Sequence, residues 1–223
     1  MARPVQKRLD IERGVLQVVS KKGLSATTIQ DIALEAGVSA GLLYRYWKSR
    51  DDLAAQVYAQ HYQRLVDLLE AQVRGARHFW RAVENLVNAF LRFADDQPVI
   101  LKFLLLSQHE LVQHVPAERG IRRLLLQLIT HGQAAGELRR IDPELALQLM
   151  LGIGMQPVIS VFYGHLPGPA ARYAGEIVEA MRGALGAKGR CVDEPPAIAR
   201  RGDGPRGGAP LPTGLRSDEE NQP

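Results

Sequence analysis

The stretch from Thr27 to Trp47 is the feature that most limits what this chain can fold into. It holds two short runs of helix-forming residues, and Gly37 stands between them. Apolar residues recur at helical spacing in the first run, and Leu43 and Trp47 stand four residues apart in the second. Because a turn that needs a positive φ favours glycine, the stretch predicts two helices packed across a tight turn.

Three short helices are predicted in the first fifty residues. Ile11 and Val15 begin a helical repeat that Gly23 closes, which predicts a helix over about 5–22. The second helix begins at a capping box, formed either by Thr27 with Gln30 or by Thr28 with Asp31. The hydroxyls that cap the next two helices are expected to be Ser39, before a helix over 40–47, and Ser49, before a longer helix.

The remainder of the chain also carries helical patterns, with no strand-like alternation and no internal repeat. Helices are predicted over about 51–74, 78–96, 98–113, 117–135, 143–164 and 168–186, with prolines marking several of the breaks. The fold class is therefore all-α. The final segment, 187–223, has twelve Gly or Pro among 37 residues, which is typical of a disordered tail.

Positive charge is concentrated at the beginning of the chain. Residues 1–50 contain nine Lys or Arg against four Asp or Glu, a net charge of +5, while 51–186 sum to −1 and 187–223 to zero. A polyanionic partner for the first segment is the natural hypothesis. Charge alone also allows the plainer interpretation of a solvated polar surface.

The sequence offers little for catalysis or metal binding. Cys191 is the single cysteine, which excludes an intramolecular disulfide and a multi-cysteine metal site. His109 and His114 resemble a zinc-protease pair but lie five apart, about 140° around a helix, so they do not share one face. No phosphate loop, nucleophile motif or paired carboxylates stand out. We therefore expect no enzyme activity, no metal and no cofactor.

The most apolar stretch runs from Leu145 to Phe162, and its length approaches that of a membrane span. Gln148, Gln156, Pro157 and Ser160 interrupt it, and no cluster of Lys or Arg flanks it to set an orientation. We favour a helix buried on most sides in a soluble protein over a membrane helix. The N-terminus has no apolar segment typical of a secretory signal, so a cytoplasmic location is expected.

The second helix of the turn motif has an outer face suited to a DNA duplex. Small residues at its start, Ala40 and Gly41, allow close approach to base edges. Tyrosine hydroxyls one or two turns later reach phosphate oxygens, as side-chain hydroxyls commonly do. The aromatic cluster at 44–47 then has two roles, since Trp47 packs inward with Leu43 while Tyr44 and Tyr46 point outward.

At this point the sequence resembles a known family. The stretch TTIQDIALEAGVSAGLLYRYWKSRDDL (27–53) is similar to the DNA-binding domain of the TetR family of bacterial transcriptional regulators. GELRRIDPELALQLMLG (136–152) also looks like the stretch leading into that family's dimerisation helices. Residues 54–135 share only the expected helical content. The motif at 27–53 is more specific than a generic helix-turn-helix.

The resemblance implies roles for individual residues. Family positions that contact phosphates correspond to Thr28, Tyr44, Tyr46 and Arg50, with Lys48 assisting. Positions that face bases correspond to Gln30, Ala40, Gly41 and Arg45. The chain departs from many relatives at two of these places, because Ala40 is often Lys or polar and Leu42 is often Thr, Ser or Ala. Readout would then fall on Gln30 and Arg45, while Leu42 offers apolar contact to a thymine methyl.

The resemblance also implies an architecture and a function. A helix-turn-helix domain (1–50) would precede a helical-bundle domain for effector binding and dimerisation (51–186), with the homodimer formed through helices at about 143–186. The expected function is repression from a palindromic operator, relieved by a small apolar ligand. Residues expected near that ligand are Phe79, Phe90, Phe103, His109 and Gln156. The alternative is a ligand-responsive or protein-binding scaffold that has lost DNA binding.

Overall fold

Capping residues and a turn glycine in the first fifty residues determine where the first helices begin and end. The structure, a computed structural model, describes residues 4–116 and 120–187. Within these ranges it contains α1 (Pro4–Lys22), α2 (Ile29–Glu35), α3 (Ala40–Tyr44), α4 (Arg50–Val73), α5 (Phe79–Asp96), α6 (Pro98–Leu111), α7 (Ile121–Ala134), α8 (Pro143–Phe162) and α9 (Ala174–Leu185). Short 3-10 turns follow α6 and precede α9. The predicted all-α class is confirmed.

The helix ends follow the predicted caps. Thr28 and Asp31 form the capping box of α2, and Ser39 and Ser49 each accept a hydrogen bond from the third residue after them. Gly37 has φ +64°, the left-handed conformation that the tight turn requires. The choice that the sequence left open at the start of α2 is therefore settled in favour of Thr28.

Two predicted helices are shorter than expected. The third was predicted to reach residue 47, but α3 ends at Tyr44. The amides of Arg45 and Tyr46 bond to carbonyls three residues back, so the last turn tightens before the chain enters the cap at Ser49. The last predicted helix, 168–186, is divided into a 3-10 turn at Ala170–Tyr173 and α9. The predicted tail (187–223) lies outside the described residues beyond Ala187.

The core is continuous from the first helix to the last. Val15, Ile32 and Leu43 are fully buried and hold α1, α2 and α3 together. The same cluster of buried apolar residues continues through α4, α5 and α7 to α9, and α1 packs against both α4 and α6. The described residues belong to one compact unit, so the division near residue 50 stays a prediction.

Helix α8 is less buried than the sequence suggested. Its length and apolar composition are sufficient to cross a membrane, yet only 28% of its most apolar window is buried within the chain. Ala146, Leu147, Met150 and Val158 form its buried side. Leu145 is 52% exposed, and the rest of the helix is partly open. One apolar side of α8 therefore has no partner among the described residues.

Candidate nucleic-acid interface

The outer surface of α2, α3 and the turn into α4 carries the residues predicted to contact DNA. Tyr44 is 56% exposed and Tyr46 is 67% exposed. Gln30, Gly41, Arg45 and Lys48 are exposed as well, and Ala40 and Leu42 are half-buried. These side chains lie on one continuous stretch of the chain beside the tight turn. The predicted set is thus brought to the surface, and its contacts with DNA stay a prediction.

Leu43 and Trp47 fix this surface from beneath. Leu43 is completely buried against α1 and α2. Trp47 is half-buried, and its Nε1 donates a hydrogen bond of 3.1 Å to Gln56 Oε1 on α4. The ring of Tyr46 meets the ring of Trp47 edge-on at 5.8 Å. The segment after α3 is therefore bonded to α4 through the Trp47 indole, which the sequence pattern predicts to face inward.

Positive charge is distributed unevenly over the motif. Lys22 forms an ion pair of 2.6 Å with Asp31, and Lys21 lies 3.9 Å from Glu35. Arg45 and Lys48, in contrast, have no ion pair with any described residue. Much of the positive charge at the end of α1 is thus neutralised by acidic residues of α2. The positive charges of Arg45 and Lys48 are not neutralised in this way. A polyanion would meet unpaired cations there.

Two aspartates near the turn remain ionised to low pH. The Lys22 ammonium, helped by the Thr28 hydroxyl and amide, lowers the pKa of Asp31 to about 2. The Lys48 amide and the Gln56 side chain lower the pKa of Asp52. Both carboxylates therefore stay charged across the physiological range and keep the first turns of α2 and α4 capped.

Thr28 and Arg50 already have protein partners. The Thr28 hydroxyl donates to Asp31 Oδ2 at 2.6 Å. Arg50 Nη1 donates to the carbonyls of Thr27 at 2.7 Å and Leu24 at 3.1 Å, and its other nitrogens contact the Asp51 carboxylate. Arg50 thus joins the turn after α1 to the start of α4. The sequence pattern did not reveal this role, because the two carbonyls that Arg50 binds lie more than twenty positions away.

A row of polar side chains on α4 contacts α1 and the segment between α3 and α4. We call Asp52, Gln56, Gln60 and Arg64, which recur at every fourth position, the α4 polar row. Gln56 donates to Asp52 at 3.0 Å and accepts from Trp47. Gln60 donates to Glu12 Oε2 of α1 at 3.1 Å, and Arg64 lies 3.5 Å from Glu12 Oε1.

His61 adds a buried titratable group beside this row. Its Nε2 lies 2.8 Å from Glu12 Oε1, although the ring is not aligned for a linear hydrogen bond. Burial lowers the pKa of His61 below its ordinary 6.5, while the Glu12 charge opposes that shift and the Arg64 charge adds to it. Because its pKa is lowered, the imidazole is neutral at pH 7. The ring also lines an open groove that Arg92 and Asp96 of α5 border.

The residues predicted to bind a ligand do not share one cavity. Phe79 lines a cavity of about 440 Å³ near the start of α5. Phe90 lines a separate apolar cavity of about 70 Å³, and Phe103 is fully buried against Tyr58. His109 and Gln156 are exposed. This corrects the predicted grouping, because a polar residue within an apolar run marks a solvent-facing position as readily as a cavity-facing one.

Metal binding finds no support in the described parts of the chain, where no group of three or more His, Cys, Asp or Glu could hold an ion. His109 lies on α6 and His114 in the 3-10 turn after it, and both are exposed.

Arg50 yields a stability prediction. Arg50→Met keeps an aliphatic stem but leaves the Thr27 and Leu24 carbonyls without their charged donor. We expect the free energy of unfolding to fall by about 1–3 kcal/mol in urea titrations. Arg45→Met, which removes an exposed arginine five residues earlier, should leave it nearly unchanged. Equal stability of the two variants would show that the Arg50 contacts are not structural.

The buried imidazole yields a pH prediction. Because the pKa of His61 is lower in the folded than in the unfolded chain, unfolding takes up a proton below about pH 6.5. The stability that His61 contributes is complete above that pH and is lost as pH falls through the lowered pKa. Between pH 7 and 5, His61→Gln should flatten the fall in unfolding free energy, whereas His109→Gln, at an exposed site, should not. Parallel curves for all three proteins would contradict this.

Comparison with known proteins agrees with the geometry. Residues 14–57 match the family model described as "Bacterial regulatory proteins, tetR family". The fatty acid metabolism regulator protein of Bacillus subtilis is 23% identical over 152 residues, which is 66% of this chain and 78% of that protein. The HTH-type transcriptional regulator YvdT of the same organism is 27% identical over 78 residues, 35% of this chain and 40% of that protein.

A solved structure shares the fold over most of this chain. The fatty acid degradation regulator FadR from Bacillus halodurans superposes with a TM-score of 0.70 at 21% identity, over 82% of this chain and 97% of that one. At this identity the likeness concerns the fold.

Proposed function

Because the chain belongs to the TetR family of bacterial regulatory proteins, we propose that it is a cytoplasmic repressor that leaves a palindromic operator when a small apolar ligand binds. The observation that carries the proposal is the α2–turn–α3 surface. Its tyrosines and Arg45 are exposed, while Leu43 and Trp47 lock the helix that presents them. One relative is named as an HTH-type transcriptional regulator and another as a fatty acid metabolism regulator protein, and the family is not enzymatic.

The exposed side chains divide into two groups of proposed DNA contacts. Tyr44, Tyr46 and Lys48 are assigned to phosphates, because all three are exposed and their hydroxyls and ammonium group make no hydrogen bond or close ion pair with the described residues. Thr28 and Arg50 would have to share groups that already bond within the protein. The base-facing set is Gln30, Ala40, Gly41, Leu42 and Arg45, of which the amide of Gln30 and the guanidinium of Arg45 offer paired hydrogen bonds to bases.

This assignment is tested by titrating a fluorescent duplex of the region upstream of the protein's own gene. Tyr44→Phe removes one hydroxyl and should weaken binding by about 0.5–1.5 kcal/mol. Lys48→Met should lower the slope of log K against log[salt] by about 1. Lys102→Met, on α6, is the control of equal charge change and should alter neither. Wild-type affinity in Tyr44→Phe together with a wild-type slope in Lys48→Met would remove both residues from the interface.

The exposed side of α8 supports a homodimer. Regulators of this family bind DNA as dimers, and a palindromic site needs two recognition helices about 34–36 Å apart or a multiple of that distance. In the single chain, Leu145 is exposed and Leu149 half-buried. A second copy packed on α8 and α9 would remove this apolar surface from water.

Light scattering tests the dimer. Leu149→Arg places a charge in the proposed interface, where it would lack a partner, and should give a monomer or an aggregate. Thr130→Arg adds the same charge on the exposed side of α7 and should leave the dimer intact. A wild-type mass for Leu149→Arg would place the interface elsewhere.

The Phe90 cavity is the proposed ligand site. It is almost wholly apolar and lies among α4, α5, α7, α8 and α9, lined by Leu69, Leu86, Val87, Phe90, Leu91, Ile121, Leu125, Met150, Leu151, Gly154, Met155 and Met181. Its 70 Å³ is below the usual size of ligand sites, about 300 Å³ or more, so binding must widen it. The three methionines favour such adjustment.

Widening this cavity would displace the C-terminal half of α4, where Leu69 forms part of its wall. That helix is continuous to Arg50 and holds Trp47 through Gln56, so its movement would carry α3 with it. The expected coupling is about 1–3 kcal/mol, or about 5–150-fold in DNA affinity. A fatty-acyl chain is the first ligand class to test, since one relative is named as a fatty acid metabolism regulator.

Gly154→Val tests the cavity, because an added side chain there meets Met181 at 3.2 Å. Palmitate should weaken duplex binding by the wild-type protein, whereas Gly154→Val should bind the duplex normally and ignore palmitate. Gly152→Val, on the opposite side of α8, meets no atom within 4 Å and should respond like the wild type, provided its mass is dimeric. A wild-type response of Gly154→Val would exclude this cavity, and no response of the wild type would exclude fatty acids.

A further inference from the structure

Glu12 is a charged residue of α1 whose side chain is only 14% exposed. Its two oxygens meet three polar side chains of α4. Gln60 donates at 3.1 Å, His61 Nε2 lies at 2.8 Å, and Arg64 Nη1 at 3.5 Å. A carboxylate in such a place is costly unless its partners stay in position, so this contact constrains where α1 can lie on α4.

The neighbouring contacts between these helices are of a different kind. Ile11, Leu53 and Val57 border the same junction and are buried. Apolar contact is non-directional, so it tolerates small rotations of one helix on another. A carboxylate held by groups from slightly more than one turn of α4 tolerates much less, because a rotation lengthens some of the three contacts.

Two of the three partners of Glu12 also line a groove between other helices. His61 and Arg64 line an open groove of about 1330 Å³ between α4, α5, α6 and α9. Arg64 is 59% exposed, whereas His61 is 4% exposed. A displacement of α4 relative to α5 or α9 would therefore alter the positions of the groups that hold Glu12.

We propose that Glu12 is the positioning residue that sets the orientation of helices α1–α3 on α4, through its contacts with Gln60, His61 and Arg64. This proposal rests on the proposed function, in which that orientation fixes the separation of two recognition helices. Glu12 itself touches no DNA. Its loss leaves the α3 surface intact but allows α1–α3 to adopt a range of orientations.

A distance measurement tests the proposal without DNA or ligand. Spin labels are attached to full-length protein at Leu34→Cys on α2 and Gln127→Cys on α7, in a Cys191→Ser background, and diluted with unlabelled protein so that distances within one chain dominate. Leu34 is 84% exposed, and Gln127 is exposed. The otherwise unsubstituted protein should give one narrow peak. Glu12→Gln should lose that peak in favour of a broad distribution.

Asp10→Asn is the matched control, because it removes an α1 carboxylate whose contacts are Gln6 and Arg13 of the same helix. It should keep the narrow peak. Should Glu12→Gln fail to fold, Arg64→Met removes the exposed partner alone and should broaden the same distribution. A narrow peak in whichever of these two variants folds overturns the proposal.

The duplex titration separates this proposal from the proposed function. If Glu12→Gln broadens the distance distribution and weakens binding to the upstream duplex, both stand. If the distribution broadens while even the wild-type protein ignores DNA, the positioning role stands and the repressor function fails. If wild-type protein binds the duplex and Glu12→Gln does so equally with an unchanged peak, the positioning role fails alone.

Discussion

The rest of the structure depends on the way α4 holds the helices before it. Its polar row bonds Trp47, three residues after α3, through Gln56, and Glu12 of α1 through Gln60, so one face of one helix contacts both α1 and the segment after α3. Arg50 at its first turn adds bonds to the carbonyls of Thr27 and Leu24. Because these bonds are directional, they limit how the DNA-facing surface can lie on α4. The far half of the same helix forms a wall of the apolar cavity.

The pairing of individual charges affects the candidate interface more than the net charge of the segment does. The first fifty residues carry an excess of five positive charges, yet Lys22 is paired with Asp31 and Lys21 approaches Glu35. Arg45 and Lys48 remain without such partners within the described residues. Pairing therefore moves the effective positive charge from the end of α1 to α3 and the turn after it, where a duplex would lie.

Local chemistry explains what the sequence could predict. Hydroxyl caps, a glycine at a positive φ and the four-residue spacing of Leu43 and Trp47 act over short distances, and the structure contains them all. For the same reason, most helix bounds were predicted to within a few residues. The end of α3 was less predictable, because the helix stops where the chain must turn into the Ser49 cap, which is a demand of packing and not of propensity.

Contacts between distant parts of the chain could not be predicted from the sequence. Arg50 meets carbonyls 23 and 26 positions away, and Glu12 meets Gln60 across 48 positions; neither pairing leaves a local pattern. The family resemblance suggested phosphate binding for Arg50, whereas its guanidinium is occupied within the protein. The predicted ligand residues are spread over separate sites for a similar reason, since helical spacing does not distinguish a residue that lines a cavity from one that faces water or a second chain.

The central claim is that the α2–turn–α3 surface, presented twice by a dimer, reads a palindromic DNA sequence. Selection of bound duplexes from a random pool, with no assumption about the operator, tests this most directly. We expect enrichment of a palindrome whose half-sites are centred about 10 base pairs apart or a multiple of that spacing, and loss of the enrichment with Arg45→Met. A pool that stays random, or one enriched equally by Arg45→Met, would contradict it.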